Sequence, residues 1–241
     1  MNTKKPGFTL VELLVVIVVI AALAALSFTV GPKMLKQAKA NAAMQNLRQI
    51  GPLLGTYAAD HQMKLAPAKA PATQPNGTVV DEQWHEACLA LLFPQTPPAE
   101  FKTPVWWKAN KTFIRNPMLK ETALPGGWSP LNPGYAMNEM IAENLALATG
   151  GALPTHDALL AISTPLAALG DPQRTPLIAP FNKFTFRYDA AEISTFNSAP
   201  LIDLLSDGKL PVLFVDGHIE TMTPDEYLQR QLFLVPIVPV P

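Results

Sequence analysis

Apolar residues are arranged along this chain in three successive patterns. Between Phe8 and Val30 they form an almost unbroken run in which only Thr9, Glu12, Ser27 and Thr29 are not apolar. A helix over these positions is about 34 Å long at 1.5 Å per residue, enough to cross a bilayer core of about 30 Å. The run predicts a membrane-spanning helix. Lys4 and Lys5 lie in the short flank before it, so the positive-inside bias predicts a cytoplasmic N-terminus with the rest of the chain outside. A cleaved secretory signal is the competing reading, because Ala21 to Ala25 imitates a small-residue cleavage site. The apolar part of such a signal normally runs only about 7 to 15 residues.

The second pattern is amphipathic. Ala43, Leu47, Ile50, Leu54 and Tyr57 recur at helical spacing, while Lys36, Lys39, Gln45 and Arg48 lie largely off that stripe. This predicts a helix with one buried face, reaching about Asp60. Gly31-Pro32 and Gly51-Pro52 predict kinks, since proline lacks the N–H that bonds to the preceding turn and crowds its carbonyl.

The third pattern is broken by proline: 22 of the 25 prolines follow Lys64. Lys64 to Thr78, with Pro67, Pro71 and Pro75 among alanines, predicts an extended linker. Short helices are predicted from about Asp81 to Phe93, ended by Pro94, and around Asn138 to Ala148, before Gly150-Gly151. The clearest strand signal is Leu210 to Val215, followed by Asp216-Gly217 as a two-residue hairpin turn and His218 to Met222 as the returning strand. Lys183 to Tyr188, alternating Phe184, Phe186 and Tyr188, predicts a third strand. The whole predicts an α+β fold: a long N-terminal helix, half in the membrane and half amphipathic, packed on a small antiparallel sheet in a proline-rich head. Its expected divisions are 1–7, 8–30, 31–62 and 63–241. The apolar tail from Leu232 to Pro241 cannot be helical past Val235 and predicts an edge strand or polyproline-like arm, on its own head or on a neighbouring copy.

Composition narrows the function classes. With 18 basic and 19 acidic residues the chain has a net charge of −1, and only 15% of its residues are charged. No global field steers it toward a polyanion, so no nucleic-acid partner is expected. One cysteine, Cys88, excludes an intrachain disulfide and Cys-rich zinc modules.

Glu12 is a carboxylate early in the apolar run, where an unpartnered charge is costly. A cut after Gly7 would place the new α-amino group of Phe8 one helical turn away, at i to i+4, within reach of this carboxylate or that of a neighbouring copy. Lys4-Lys5-Pro6-Gly7 followed by Phe8-Thr9-Leu10-Val11-Glu12 resembles the class III signal of type IV prepilins and type II secretion pseudopilins. The resemblance implies cleavage between Gly7 and Phe8 by a prepilin peptidase, N-methylation of Phe8, and a role for Glu12 in subunit registration. It also implies a pilin-like shape. Phe214-Val215-Asp216-Gly217-His218-Ile219-Glu220 resembles the C-terminal strand motif of prepilin-like proteins with extended heads, and Gly134-Tyr135-Ala136-Met137-Asn138 is similar to a second segment of that group. Many of that group carry a histidine ten residues before the turn aspartate. Here the position is Ser206, so any role of that histidine does not transfer.

No catalytic constellation stands out. His61, His85, His156 and His218 lack metal-ligand spacing, and His85-Glu86 has no second histidine where a zinc helix needs one. Cys88 sits in an apolar helix-like context that favours an inert thiol. Asp203, Asp207 and Asp216 are weak calcium candidates, each near a turn where an aspartate has a structural use. No other cofactor is implied. Trp84, Trp106, Trp107 and Trp128 fit either core anchors or a recognition surface. The resulting expectation is a non-enzymatic subunit of a type II secretion pseudopilus or type IV pilus-like fibre. Its implied partners are other pilin or pseudopilin subunits, prepilin peptidase, an inner-membrane assembly platform and the lipid bilayer. The alternative is a signal-anchored extracytoplasmic binding protein or enzyme that does not polymerise.

Overall fold

The computed structural model describes residues 9–73, 79–110, 112–119, 133–148, 158, 161–197, 201–232, 235 and 237. Contacts divide the chain into two units, Met1–Lys39 and Ala40–Pro241. Helix α1, Leu10–Asp60, begins in the first and ends in the second.

In the first unit α1 is helical through the apolar run, and every side chain described from 10 to 39 is exposed. Among the described residues no helix is long and apolar enough to cross a membrane. The side chains at 25, 26 and 28–30 fall outside those described, and the apolar stretch that remains, 10–24, is 15 residues, short of the about 20 that a bilayer core requires. The assignment of α1 continues unbroken through Gly31-Pro32 and Gly51-Pro52, where kinks were expected.

The second unit holds the core. Ala43, Leu47, Ile50 and Leu54 are buried as the stripe predicts, and Ala58 extends it. This face of α1 meets a five-stranded sheet ordered β5-β3-β4-β6-β7, with β3 Tyr135–Asn138, β4 Pro176–Pro180, β5 Thr185–Phe186, β6 Leu210–Phe214 and β7 Ile219–Met222. Two contacts show how closely helix and sheet approach. The Tyr135 hydroxyl donates to the Ala43 carbonyl at 3.1 Å, and a Cβ added at Gly51 would lie 3.3 Å from Leu213 Cδ1.

The sheet is mixed rather than purely antiparallel. β3–β4, β4–β6 and β6–β7 are antiparallel, but β5 joins the edge parallel to β3. The third strand expected over 183–188 shrinks to these two residues. Tyr188 has already turned away at φ 50°, while the Arg187 and Tyr188 N–H groups donate to Glu192 Oε2 at 2.8 and 3.0 Å. β6 and β7 form the predicted hairpin, but its connection is three residues, 215–217, not two. Gly217 N–H donates to the Phe214 carbonyl at 3.0 Å and Gly217 has φ 92°, the pattern of a tight turn closed by a left-handed glycine bulge.

The expected linker over 64–78 is part of the head over 64–73, and its remainder, 74–78, lies outside the described residues. Leu65, Ala66 and Ala68 are buried, Lys64 bridges to Pro165, and β1 Lys69–Thr73 pairs antiparallel with β2 Val79–Gln83 as a separate ribbon. The helix expected from Asp81 therefore starts later, as α2 Trp84–Leu92, where Glu86 Oε2 accepts the Gln83 N–H at 2.9 Å. α3 is Pro104–Ala109. The helix expected from Asn138 is α4, Met140–Ala148, because Asn138 ends β3 and its Oδ1 accepts the Met140 N–H at 3.0 Å. α5 Ala190–Ser194 and α6 Pro224–Gln229 complete the unit, each capped at its N-terminus, by Asp189 and Thr223 respectively. Of the tail, Val235 is buried and Ile237 bridges to Leu169 on its own head.

Candidate processing and assembly site

The site expected at the N-terminus comprises Gly7, Phe8 and Glu12. Gly7 and Phe8 lie outside the described residues; Glu12 is in the first turn of α1. The Thr9 N–H and Thr9 hydroxyl both donate to Glu12 Oε2 at 2.8 Å, and the Glu12 N–H donates to Thr9 Oγ1 at 3.3 Å. This is a reciprocal capping box with Thr9 at the N-cap and Glu12 three residues on, and it satisfies N–H groups that a helix start leaves without partners. The carboxylate also opposes the positive end of the helix dipole.

The geometry gives Glu12 a local partner that the sequence reading overlooked. Its partner is a hydroxyl and an N–H rather than a cation, and the Thr-Xaa-Xaa-Glu spacing is the signal for it. An amine on residue 8 would adjoin the cap residue itself, next to a carboxylate whose Oε2 is already oriented toward the start of the helix. The groups described here are one carboxylate and one hydroxyl, both used in the capping box.

The head sites expected from the sequence are dispersed. Asp203 lies in a short 3-10 turn, Leu201–Leu204, with its side chain outside those described. Asp207 is exposed in a turn at φ 52°, between the bridged Ser206 and Lys209. Asp216 lies in the hairpin connection, where its Oδ1 accepts the His218 N–H at 3.1 Å and stands 2.5 Å from His218 Nδ1. Among the described residues no three His, Cys, Asp or Glu side chains gather as metal ligands.

His218 stacks on Phe214 with ring centroids 4.3 Å apart. His61 stacks on Tyr57 at 3.8 Å, and His85 lies between Trp84 and Trp107. Cys88 is fully buried, and burial pushes its thiol up to about 12, far from the range of a nucleophile. Trp84, Trp106 and Trp107 are core residues; Trp128 and His156 lie outside the described residues.

One head cluster had no signal in local spacing. Arg187 pairs with Glu139 at 3.0 Å, just before α4, and with Glu143 in its first turn, while Lys183 stands 3.8 Å from Glu192 on α5. Glu139 and Arg187 are 48 positions apart, so only the parallel β3–β5 pairing brings them together. These pairs fasten α4 and α5 to the sheet edge.

Residues 2–28 match the family model described as the prokaryotic N-terminal methylation motif. The N-terminus of this chain is thus a prepilin-type signal, of the kind found in type IV pilins and pseudopilins. No curated protein and no solved structure matches the chain.

Proposed function

We propose that this chain is a structural subunit of a pseudopilus or type IV pilus-like fibre. The observation that carries the reading is the methylation motif over 2–28, with Gly7 and Phe8 at its junction and Glu12 in the first turn of a helix whose apolar side chains from 10 to 24 are exposed. In this reading prepilin peptidase cuts between Gly7 and Phe8 and Phe8 is methylated. The apolar part of α1 anchors the subunit in the inner membrane with its head outside. An assembly platform then extracts it, and the α1 helices of successive copies pack together.

Glu12 sets the register. Taking a carboxylate into an apolar bundle without a counter-charge costs several kcal/mol, so a copy is accepted where an amine of its neighbour meets Glu12. The capping box keeps the same carboxylate hydrogen-bonded before assembly, when Thr9 serves it alone. No step in this scheme requires the head to catalyse anything.

Mass spectrometry of the mature N-terminus tests the processing: a methylated Phe8 is expected, whereas an intact Met1 or a cut near Ala25 would support the non-polymerising alternative. Glu12→Ala tests the assembly. It should insert and be cleaved normally yet give few fibres, and fibres at wild-type yield would overturn the register role.

A further inference from the structure

The segment of α1 that follows the apolar run is amphipathic, and both of its faces are bare. At 100° per residue, Lys33, Lys36 and Lys39 fall within an arc of about 120°, while Met34 and Ala38 lie opposite and Leu35 lies between, about 40° from Lys39. All six are exposed; Met34 and Leu35 are 67% and 60% accessible. The sequence has no acidic residue between Glu12 and Asp60 that could neutralise the lysines from within the helix. The lysines stand in line with the core stripe rather than off it, Lys36 and Lys39 lying seven and four residues before Ala43, but the buried part of that stripe begins with Ala40 and the three lysines before it are exposed.

Placement along the axis points to the occupant. Lys33 lies about 4.5 Å beyond Val30 and Lys39 about 13.5 Å beyond it. The headgroup layer on each side of a bilayer core is about 5 to 7 Å thick. Lys33 and Lys36 therefore start at headgroup level, and the long stem of Lys39 reaches back toward it, as lysines do at interfaces. Met34 and Leu35 stand at the same level, about 6 and 7.5 Å beyond Val30, with apolar side chains that can reach back toward the acyl boundary. A segment with a basic face and an apolar face at this level matches a surface carrying phosphate charge above hydrocarbon.

The charge count is informative for another reason. The leader's Lys4 and Lys5 are the lysines on which the expected orientation rests, and the far flank carries three more that this orientation does not use. A positive charge kept on the far side needs a use there. We infer that Lys33, Lys36 and Lys39 form a contact site for anionic phospholipid headgroups at the outer surface of the membrane in which the subunit is stored. The inference rests on the membrane anchoring proposed above. It adds a polar attachment that must be released when a copy is extracted.

The full chain is placed in bilayers of phosphatidylcholine with a minor fraction of phosphatidylglycerol, and its first-shell lipid preference is read with spin-labelled lipids. Wild type should favour phosphatidylglycerol several-fold, since each basic residue beside an anionic surface is favoured by about fivefold. Lys33→Gln, Lys36→Gln and Lys39→Gln combined should abolish the preference, and the three corresponding arginine substitutions should keep it. High salt should weaken it in wild type. A wild-type preference no greater than that of the glutamine variant overturns the assignment. Carbodiimide coupling of these lysines to carboxylates of a second copy, without lipid preference, overturns it in favour of a protein partner. Alkaline carbonate extraction separates the two layers of the argument: retention without preference removes only the lysine site, whereas release removes the anchoring and the site together.

Discussion

The two units dispose of their apolar side chains in opposite ways. From 10 to 39 every described side chain is exposed, including Leu10, Ile17 and Ile20, although the stretch contains the most apolar sequence in the chain. From 40 onward a single cluster buries Leu47, Ile50, Trp84, Phe186, Phe214 and their neighbours almost completely. The head thus supplies its own interior, while the stem presents apolar surface that no described residue covers. High hydrophobicity means self-burial in one unit and exposed apolar surface in the other.

Truncations of similar chemistry should therefore have unequal consequences. Trp84 is fully buried and its Nε1 donates to the Phe184 carbonyl at 2.9 Å, so Trp84→Ala should lower head stability by about 3 to 5 kcal/mol. Ile17→Ala, in the exposed stem, should leave the same unfolding transition within about 0.5 kcal/mol of wild type. Denaturant melts followed by head fluorescence for Ile17→Ala, and by circular dichroism for both variants, measure the contrast. A comparable loss from Ile17→Ala would break the comparison.

Glycines give a second and somewhat smaller contrast. Gly134 has φ 82°, and a Cβ there would sit 2.8 Å from Asn116 Cβ and 3.0 Å from Leu119 Cβ. Its backbone carbonyl also accepts from Asn116 Nδ2 at 3.0 Å, fixing the strand entry to β3. Gly134→Ala combines left-handed strain with a clash and should cost about 2 to 3 kcal/mol by thermal melting. Gly31, in the stem helix, has nothing within 4 Å of such a Cβ. Gly31→Ala should instead raise local helix stability by about 0.5 to 1 kcal/mol, visible as slower amide exchange in that turn.

What could be read in advance follows the same boundary between local and non-local signals. The apolar run, the stripe from Ala43 to Leu54 and the β6–β7 hairpin all repeat at short spacing, so neighbouring residues announce them. β1 and β2 do not: Lys69–Thr73 contains one proline and small side chains, and it is a strand only because Val79–Gln83 pairs with it. β5 is two residues long and depends on its parallel neighbour β3, which no local period encodes. β3 is buried at all four positions and so lacks the alternation of a half-buried strand. At the candidate site the Gly7-Phe8 junction and Glu12 were legible as a motif. The Thr9–Glu12 box was equally written in the spacing, and was obscured because a carboxylate among apolar residues directs attention to cations.

The smallest expected effect concerns charge in the head's interior, where the contrast with the stem can be sharpened by titration. Glu86 on α2 is buried, and burial pushes its carboxyl above the usual carboxylate range. Its bond from the Gln83 N–H and Lys102, at 3.7 Å, pull the other way, and Glu82 nearby pushes up again. Burial likewise raises Glu82. A group whose folded pKa is raised binds its proton more tightly in the folded state, so its contribution is present in acid. It is lost as pH rises from the usual carboxylate value through the raised one. Head stability should decline over that window, by at most about 1.4 kcal/mol per pH unit for each proton. Glu86→Gln keeps an acceptor for the Gln83 N–H and removes one titration, so its decline should be shallower, with Glu82 supplying what remains. Urea midpoints at a series of pH values measure the two slopes. Parallel curves for wild type and variant would mean that Lys102 holds Glu86 ionised despite its burial, and that the head tolerates an interior carboxylate with a single partly exposed lysine beside it.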